Sequence, residues 1–493
     1  MSFDGELPPE VAPSADFDRM VDRRREFRSD PYRPDYHFVP PGGILHDPNG
    51  ALYWNGRYHL FYQFWPPHVT DDRPWEEAMH WGHAVSEDLV HWRDLPIALS
   101  PDEGPEAGCF SGQALVEDDR ALVMYFGTEA GNCIAAADDE YLTDFERAEA
   151  NPVIPVDEDA PYVVFDPCLW RDGDTYHSLS GWKRDGRTAE FHFTSENLTD
   201  WDYRGTLVKD GYHTNPEEDG AVPNFFELDG RHVLLFFSHS HGPQYYVGDY
   251  HGGTDFDIRS HGRLNFGPVD HGNLHAPSVC HAGDGRKIAF FNVVEGRHGW
   301  QDDPGEGWAG VVSLPRRLSL SGDDLRVEPV AELSALRTNH RRVEGHTVPA
   351  DEEWVVPDIG GASIEVNATV AVDGADEVGL SVLRSPDGRE ATEITYWDGA
   401  GALGIDSGRA SGNPEAKGRP PEVAPFSLGD DERLDLRVFV DRSIVEVFAN
   451  GRRTLTTRVY PARDDSVGLS LSARRGTAHL DSLDAWDMGS IWS

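Results

Sequence analysis

The chain has 493 residues, more than one comfortable hydrophobic core, so two or three domains are predicted. Hydrophobic residues make up 39% of it, which suits a globular protein and argues against a disordered one. The formal charge of −44 makes nucleic acid and anionic membranes poor partners.

This acidity has two interpretations. Lysine is nearly absent, and the chain contains only Lys183, Lys209, Lys287 and Lys417. An acid-rich solvated surface is typical of proteins that work in concentrated salt, where screening shortens the range of self-repulsion. A specific cationic partner is the alternative.

The cysteines and the N-terminus exclude several other classes. Four cysteines are scattered without CxxC spacing, which predicts buried free thiols and neither a zinc site nor a disulfide framework: Cys109, Cys133, Cys168 and Cys280. The acidic N-terminus lacks a signal-peptide core, and no stretch approaches 18 apolar residues. We therefore expect a cytoplasmic protein with no membrane partner.

The predicted elements begin with an extension over residues 1–35, which has little fixed structure apart from a short helix near 15–28. A unit then recurs five times: an apolar strand, a short turn rich in Gly and Asp, and a second apolar strand. The copies start about 55–63 residues apart. Their first residues are Asp47, Phe110, Phe165, Val222 and Ala276.

A second pattern supports this period. The segment SEDLVHW at 86–92 is echoed by SENLTDW at 195–201 and, more weakly, by YLTDF at 141–145. Each segment falls where a third strand should turn into a fourth, with its aromatic residue between neighbouring units. Five four-stranded units predict an all-β fold with a five-bladed β-propeller over 36–335. A β-sandwich with accidental spacing is the alternative.

The chain changes character after the propeller. A polar segment within 335–346 is predicted to be a linker, because it has no apolar periodicity. Alternating apolar and polar residues with intervening turns then predict a C-terminal antiparallel β-sandwich over 346–493.

Two carboxylates fall at equivalent positions of different blades. When the repeats are aligned on their prolines, Asp47 and Asp166 both stand immediately before a proline. The first strands of the blades line the central channel, so the two side chains should converge at one mouth. Paired carboxylates at one site are what glycoside hydrolysis requires. The plainer interpretation is that each Asp-Pro only opens a turn.

Aromatic residues accompany these carboxylates, and aromatic rings commonly hold the apolar faces of sugars. Candidate platforms are Trp54, Trp65, Trp81 and Trp182. Packing between blades is the alternative role for these side chains.

Several segments resemble glycoside hydrolase family 32, which includes invertases, levanases and inulinases. They are HDPNGALYWNGRYHLFYQF, MHWGHAVSEDLVHW, GCFSGQAL, GWAGVVSLPRRLSL and DLRVFVDRSIVEVFANG. The resemblance covers about residues 36–480. It implies a five-bladed propeller joined to a sandwich and a retaining mechanism. No metal or organic cofactor is implied, and the partner is a fructose-containing oligo- or polysaccharide.

The resemblance also implies roles for individual residues. Asp47 would be the nucleophile, and Asp166 would stabilise the transition state through sugar hydroxyls. The family's fructose-binding positions fall on Asn49, Gln63, Trp81, Phe110 and Ser111.

This sequence departs from the family pattern in three places. His46 replaces an Asn before the nucleophile, and Phe165 replaces the Arg of an Arg-Asp-Pro motif. The acid/base of the family sits in a Glu-Cys-Pro motif, whose Glu aligns with Ala221, and alanine transfers no proton.

The nearest acidic residues are at 217–219, and Glu218 is predicted to be the acid/base, with Asp219 as the next candidate. A short bulge at Gly220 would bring Glu218 to the rim. The alternative is that 217–219 is only an acidic turn.

Three functions remain open at this point. The first is an active β-fructosidase in which Asp47 attacks and Glu218 protonates the leaving group. The second is a carbohydrate-binding or regulatory protein that lost its acid. The third is a furanosidase that acts on another sugar, such as an arabinoside. The oligomeric state is open, and a homo-oligomer is one possibility.

Overall fold

A computed structural model describes residues 7–67, 74–209, 214–269, 273–296, 307–414, 416 and 419–492 of the chain. Helical segments in this part are short: α1 (Ala15–Glu26) and 3₁₀ turns at Phe27–Ser29, Trp75–Glu77, Pro101–Glu103 and Ala331–Leu336.

Five successive sheets account for the first two thirds of the chain, and their consecutive strands pair in antiparallel fashion. Blade 1 contains β1 (Gly43–Trp54), β2 (Arg57–Trp65), β3 (His80–Ser86) and β4 (Trp92–Leu99). Blade 2 contains β5 (Cys109–Val116), β6 (Ala121–Gly127), β7 (Gly131–Ala137), β8 (Glu146–Arg147) and β9 (Ile154–Pro155). Blade 3 contains β10 (Pro167–Asp172), β11 (Thr175–Arg184), β12 (Arg187–Ser195) and β13 (Asp202–Thr206).

The two remaining sheets follow the same order. Blade 4 contains β14 (Ala221–Leu228), β15 (Arg231–Ser238), β16 (Gly242–Gly252) and β17 (Asp255–Arg263). The segment of blade 5 contains β18 (Leu274–His281), β19 (Lys287–Val293), β20 (Trp308–Ala309), β21 (Val311–Val312), β22 (Arg316–Ser321) and β23 (Asp324–Pro329).

The blades form a closed ring. The first strand of each blade contacts the first strand of the next, and the first strand of blade 5 contacts that of blade 1. Strand β20, which follows blade 5 strands in sequence, pairs in parallel with β1 and so joins the sheet of blade 1. The prediction of a β-propeller is confirmed, and the described residues form five blades.

The repeated segments at 86–92 and 195–201 form the same turn between the third and fourth strands. The side chain of Asp88 accepts hydrogen bonds from the backbone N–H groups of Val90 and His91, and Asn197 does the same for residues 199 and 200. Trp92 packs edge-on against Phe290 of blade 5 with ring centroids 6.0 Å apart. This aromatic residue lies between blades, as the pattern predicts.

Two six-stranded antiparallel sheets form the C-terminal unit. The first contains, in spatial order, β24 (Arg337–Val348), β35 (Thr477–Met488), β26 (Ser363–Asp373), β31 (Leu434–Asp441), β32 (Ile444–Ala449) and β33 (Arg453–Arg458). The second contains β25 (Glu352–Gly360), β34 (Gly468–Arg474), β27 (Glu377–Arg384), β28 (Ala391–Trp397), β29 (Ala402–Arg409) and β30 (Glu422–Pro425). Their inward-facing apolar residues share one core, so the predicted sandwich is confirmed.

A buried polar cluster joins the two units. His37, which precedes blade 1, contacts Asp441 at 2.9 Å and Glu446 at 3.7 Å, and all three side chains are fully buried. Arg316 of blade 5 pairs with Glu446 at 3.2 Å. The pairing matters because a buried charge without a partner would be strongly destabilising.

Two details of the predicted organisation are wrong. The segment predicted as a linker forms most of β24, which pairs with β35 along the edge of the sandwich, so its polar residues belong to an exposed edge strand. The described part of the extension is ordered: α1 buries Phe17 and Met20, and Arg24 forms an ion pair with Asp94 of blade 1. The predicted short helix is confirmed, and residues 1–6 lie outside the described residues.

All four cysteines are buried and unpaired. No helix among the described residues is long and apolar enough to cross a membrane.

Candidate active site

A cavity of about 170 Å³ lies where the inner strands of all five blades meet. Four of these strands carry a register shift at the residues that line it, between Leu45 and Pro48 and at the corresponding points of β5, β14 and β18. In blade 3 the lining residues come immediately before β10. Bulges of this kind redirect side chains, so in blades 1, 2, 4 and 5 the irregularity turns the lining side chains toward the cavity.

Asp47 and Asp166 lie in the wall of this cavity. The hydroxyl of Ser111, from the equivalent position of blade 2, donates a hydrogen bond of 2.6 Å to Oδ2 of Asp47. The backbone N–H of Val222 donates to Asp166, and Val222 holds a positive φ of 49°, which is strained for a β-branched residue. The structure thus brings the two predicted carboxylates together.

The two carboxyl groups do not ionise alike. Burial raises the pKa of Asp47, while the Ser111 hydrogen bond and the charge of His239 act in the opposite direction. Burial, followed by the charge of Asp47, holds the pKa of Asp166 well above its ordinary value. Asp47 therefore ionises first and carries the charge that a nucleophile needs. Oδ1 of Asp166 is buried without a hydrogen-bond partner among the described residues, which suits a group that receives a sugar hydroxyl.

The predicted sugar-binding residues divide into two groups. Gln63, Phe110 and Ser111 line the cavity. Asn49 and Trp81 are fully buried and are not part of its wall, and the indole N–H of Trp81 donates to the carbonyl of Phe110 at 2.8 Å. These two residues therefore support the wall from behind.

Glu218, the predicted acid/base, does not line the cavity. Its side chain is fully buried, and its carboxylate accepts hydrogen bonds from Asn215 at 3.0 Å, Gln244 at 2.9 Å and Arg263 at 3.0 Å. These contacts fasten the turn before β14 to β16 and β17. A bulge is present, but it lies between Ala221 and Asn224 and not at Gly220, and it exposes Val222 to the cavity instead of Glu218.

Asp219 lies behind the wall and binds a histidine in it. Oδ1 of Asp219 lies 3.0 Å from Nδ1 of His239, a residue that lines the cavity. Burial alone would lower the pKa of His239. The hydrogen bond that His239 donates to Asp219, and the charges of Asp219, Asp166 and Asp47, outweigh this effect and raise the pKa. His239 therefore binds a proton more tightly than a free histidine does.

Two other histidines in the wall remain neutral. Burial lowers the pKa of His46 to about 4 and that of His275 to about 3. His239 is thus the histidine of the described wall that is poised to carry a proton near neutral pH.

The sandwich also reaches the cavity. Glu295, which follows β19, lines the wall and accepts a hydrogen bond from the hydroxyl of Tyr460. Arg458 of β33 approaches the same carboxylate at 3.7 Å. The sandwich therefore holds one acidic residue of the rim in place.

The aromatic platform differs from the prediction. Trp75 stacks on Phe110 with ring centroids 5.6 Å apart and an interplanar angle of 23°, and both rings line the cavity. Trp182 lies behind this wall, against Phe165 and His239. Trp75 follows the undescribed residues 68–73 and belongs to no repeat, so the repeat pattern gave no reason to select it.

His239 and Glu295 were not predicted because they follow the second strand of a blade, whereas the repeat alignment points to the first strand. In an antiparallel hairpin, the end of the second strand lies beside the start of the first. Accordingly, Ala221 pairs with Phe237, and Leu274 pairs with Val293. Polar residues just after each second strand were the available signal.

Among the described residues, no group of three or more His, Cys, Asp or Glu side chains is arranged to hold a metal ion. Two carboxyl groups of different acidity and a histidine of raised pKa around one cavity can support nucleophilic attack and proton transfer.

Two family models match the chain. The model described as "Glycosyl hydrolases family 32 N-terminal domain" matches residues 37–329. The model described as "Glycosyl hydrolases family 32 C terminal" matches residues 332–487.

Similar proteins agree with these matches. A sucrose-6-phosphate hydrolase of Escherichia coli is 30% identical over 94% of this chain and 96% of its own length. A levanase of Bacillus subtilis is 31% identical over 94% of this chain and 71% of its own length. Among solved structures, fructan 1-exohydrolase IIa from Cichorium intybus superposes with a TM-score of 0.81 at 22% identity. The superposition covers 94% of this chain and 98% of the fructan exohydrolase chain. At 22% identity the likeness concerns the fold alone.

Proposed function

Because the chain belongs to glycosyl hydrolase family 32, we propose that it hydrolyses the β-fructofuranosidic bonds of sucrose or fructans with retention of configuration. The observation that carries this proposal is the convergence of Asp47 and Asp166 on one cavity, with different affinities for a proton. A retaining enzyme needs an ionised nucleophile beside a second group that holds the sugar.

In the proposed reaction, Asp47 attacks the anomeric carbon of the fructosyl unit and forms a covalent intermediate, which water then hydrolyses. Ser111 keeps the nucleophile ionised and oriented through its hydrogen bond. Asp166 binds ring hydroxyls, and this contact strengthens as positive charge develops on the sugar. Trp75 and Phe110 offer apolar faces to the sugar.

The wall of the cavity also bears on the choice of substrate. Its described residues include no lysine or arginine, and two of its three histidines are neutral near pH 7. A phosphate group would find few cationic partners there. We therefore propose unphosphorylated sucrose or fructan, although the E. coli relative is named for sucrose-6-phosphate.

The direct test is fructose release from sucrose, sucrose-6-phosphate, inulin and levan in high salt. We expect turnover of the unphosphorylated sugars and a loss of at least about 10⁴-fold in Asp47→Asn, since the nucleophile is removed. Asp174→Asn, at a fully exposed carboxylate of blade 3, is the matched control and should keep full activity. Folded wild-type protein that releases no fructose from any of these substrates would contradict the proposal.

Two alternatives predict other outcomes. A sugar-binding protein, which the alanine at position 221 favours, would bind fructosides without cleaving them. A furanosidase for another sugar would cleave other members of a panel of aryl glycosides. Cytoplasmic location and oligomeric state stay predictions.

A further inference from the structure

We infer that His239, held by Asp219, is the proton donor and acceptor of this active site, in the role that the alanine at position 221 cannot perform. The inference rests on the proposed function, because it names the acid of that reaction. Asp219 is a positioning residue in this account, and His239 is the group that meets the substrate.

The need for such a group follows from the acidic residues available. Position 221, where the family resemblance places a glutamate, is alanine. Glu218 is fully buried, its carboxylate accepts hydrogen bonds from Asn215, Gln244 and Arg263, and Nδ1 of His241 lies 2.6 Å from its Oε1. Among the described residues, the carboxylates of the cavity wall are Asp47, Asp166 and Glu295. The first two have roles in attack and sugar binding, so Glu295 is the one remaining carboxylate of the described wall.

Glu295 is held by neighbours from the sandwich and from its own backbone. Its carboxylate accepts hydrogen bonds from the hydroxyl of Tyr460 and the backbone N–H of Gly296, and Arg458 lies 3.7 Å away. These contacts give Glu295 a structural role where the sandwich meets the rim of the cavity.

Another buried acid lies close by but is enclosed. Burial raises the pKa of Glu190 on β12 to about 8, so this carboxyl holds a proton at neutral pH. It is fully buried, and a Cβ built on Gly220 would lie 2.6 Å from its Oε1. The backbone at Gly220 therefore lies directly against Glu190, which is not part of the cavity wall.

His239 has the required placement. It follows β15, whose end lies beside the start of β14, so it occupies the rim next to position 221. Asp219 engages its Nδ1 at 3.0 Å, which fixes the ring and leaves Nε2 for the cavity. The ring also packs edge-on against Trp182 and Phe237, with centroids 5.8 and 5.0 Å away. A carboxylate that binds one ring nitrogen and a substrate site at the other is the arrangement of a histidine acid/base.

The charges around His239 favour its protonated form. Asp219 faces it from the turn before β14, Asp166 from blade 3 and Asp47 from blade 1, and all three raise its pKa. His275 of blade 5 also faces it, but burial keeps that ring neutral. The imidazolium in turn helps to keep Asp47 ionised. The charged states of nucleophile and acid thus support each other.

The reaction balances with these groups. Asp47 attacks C2 of the fructosyl unit, the bond from C2 to the glycosidic oxygen breaks, and that oxygen takes the proton from Nε2 of His239. The neutral imidazole then accepts a proton from water as the water oxygen attacks C2. The ester bond to Asp47 breaks, fructose leaves, and both the carboxylate and the imidazolium are restored.

The experiment compares leaving groups. For His239→Gln we expect kcat/KM on sucrose to fall about 10²–10⁴-fold. On p-nitrophenyl β-fructofuranoside the loss should be much smaller, since this leaving group departs without a proton.

The alkaline limb of the pH profile of kcat/KM should also disappear in His239→Gln. Asp219→Asn should move that limb to lower pH and leave the limb itself in place. Circular dichroism of each variant checks that the protein is folded.

Matched variants at Glu218 and Glu295 separate the competing acids. Glu218→Gln and Glu295→Gln should show equal losses on both substrates and keep the alkaline limb. If either shows the selective loss on sucrose while His239→Gln does not, the assignment is overturned. An inactive wild type would instead contradict the proposed function, so the two failures are distinguishable.

Discussion

At the scale of single residues, the hydrogen bond from Ser111 favours the ionised form of Asp47, the proposed nucleophile. Burial works against the charge on Asp47, and Ser111 partly offsets that effect at a distance of 2.6 Å. Both residues occupy the same position of neighbouring blades. A residue far away in sequence therefore adjusts the acidity of Asp47.

We predict that Ser111→Ala raises the pKa of Asp47 and moves the acidic limb of kcat/KM up by about one pH unit. A hydrogen bond to a charged group contributes about 1.5–3 kcal/mol, of which water replaces part. Activity at the optimum should fall about tenfold. The measurement is a pH profile of sucrose hydrolysis. Ser178→Ala, at a buried serine of β11 whose hydroxyl has no partner among the described residues, is the control. An unshifted acidic limb in Ser111→Ala would refute this role.

Single residues also show where sequence analysis stops. Three acidic residues stand in a row at 217–219, and their order does not say which of them faces the cavity. The turn decides it: Glu217 adopts a φ of 68°, Glu218 is turned toward β16, and Asp219 is turned toward His239. Trp81 was equally undecidable because every residue of β3 is buried, so no alternation marks the face toward the cavity.

At the scale of elements, the repeats were predictable because blades 1 and 3 form the turn between their third and fourth strands with the same side-chain contacts. The turn at 86–92 needs Asp or Asn to accept backbone N–H groups, and it ends at a tryptophan. The pairing that adds β20 to blade 1 was not predictable. It consists of two residues, Trp308 and Ala309, and so short a strand carries no periodic signal.

This pairing depends on a glycine. Gly310 follows β20 with a φ of 86°, and a Cβ there would lie 2.0 Å from the carbonyl oxygen of Leu45 in β1. We predict that Gly310→Ala lowers stability by about 2–5 kcal/mol, through backbone strain plus this clash. Gly322→Ala is the control, because Gly322 has a φ of 66° but no atom within 4 Å of its Cβ position. It should cost only about 1–2 kcal/mol. The midpoints of urea unfolding measure the effect of both variants. Equal midpoints would contradict the claim that the pairing of β20 with β1 depends on Gly310.

At the scale of the whole molecule, the propeller and the sandwich are joined by a titratable group. Burial acts to lower the pKa of His37, but hydrogen bonds to Asp441 and Glu446 and their charges outweigh it, so the pKa is raised. His37 is therefore protonated in the folded chain over a wider pH range than in the unfolded chain. Its contribution to stability is complete below about pH 6.5 and is lost as pH rises through the raised value.

We predict that His37→Gln lowers the melting temperature more at pH 6 than at pH 9. His59→Gln is the matched control, because burial lowers the pKa of His59 to about 3 and keeps it neutral at both values. Thermal unfolding of the three proteins at the two pH values provides the measurement. If the difference in melting temperature between wild type and His37→Gln does not change with pH, a charged His37 at the interface is excluded.

The net charge of −44 is also a property of the whole molecule. We predict that sodium chloride raises the urea midpoint steeply at first and weakly above about 1 M, where the screening length is already about 3 Å. Screening of self-repulsion saturates in this way. A midpoint that instead rises evenly up to 3 M would indicate a general effect of salt on apolar burial.

Because Tyr460 and Arg458 of the sandwich contact Glu295 of the propeller, the two units cannot be separated without a change at the rim of the cavity. A propeller expressed alone would lack the neighbours that fix one side of its own catalytic mouth. We accordingly expect that exchange of the sandwich between relatives alters substrate preference as well as stability. The sandwich would then contribute to the substrate specificity of the enzyme.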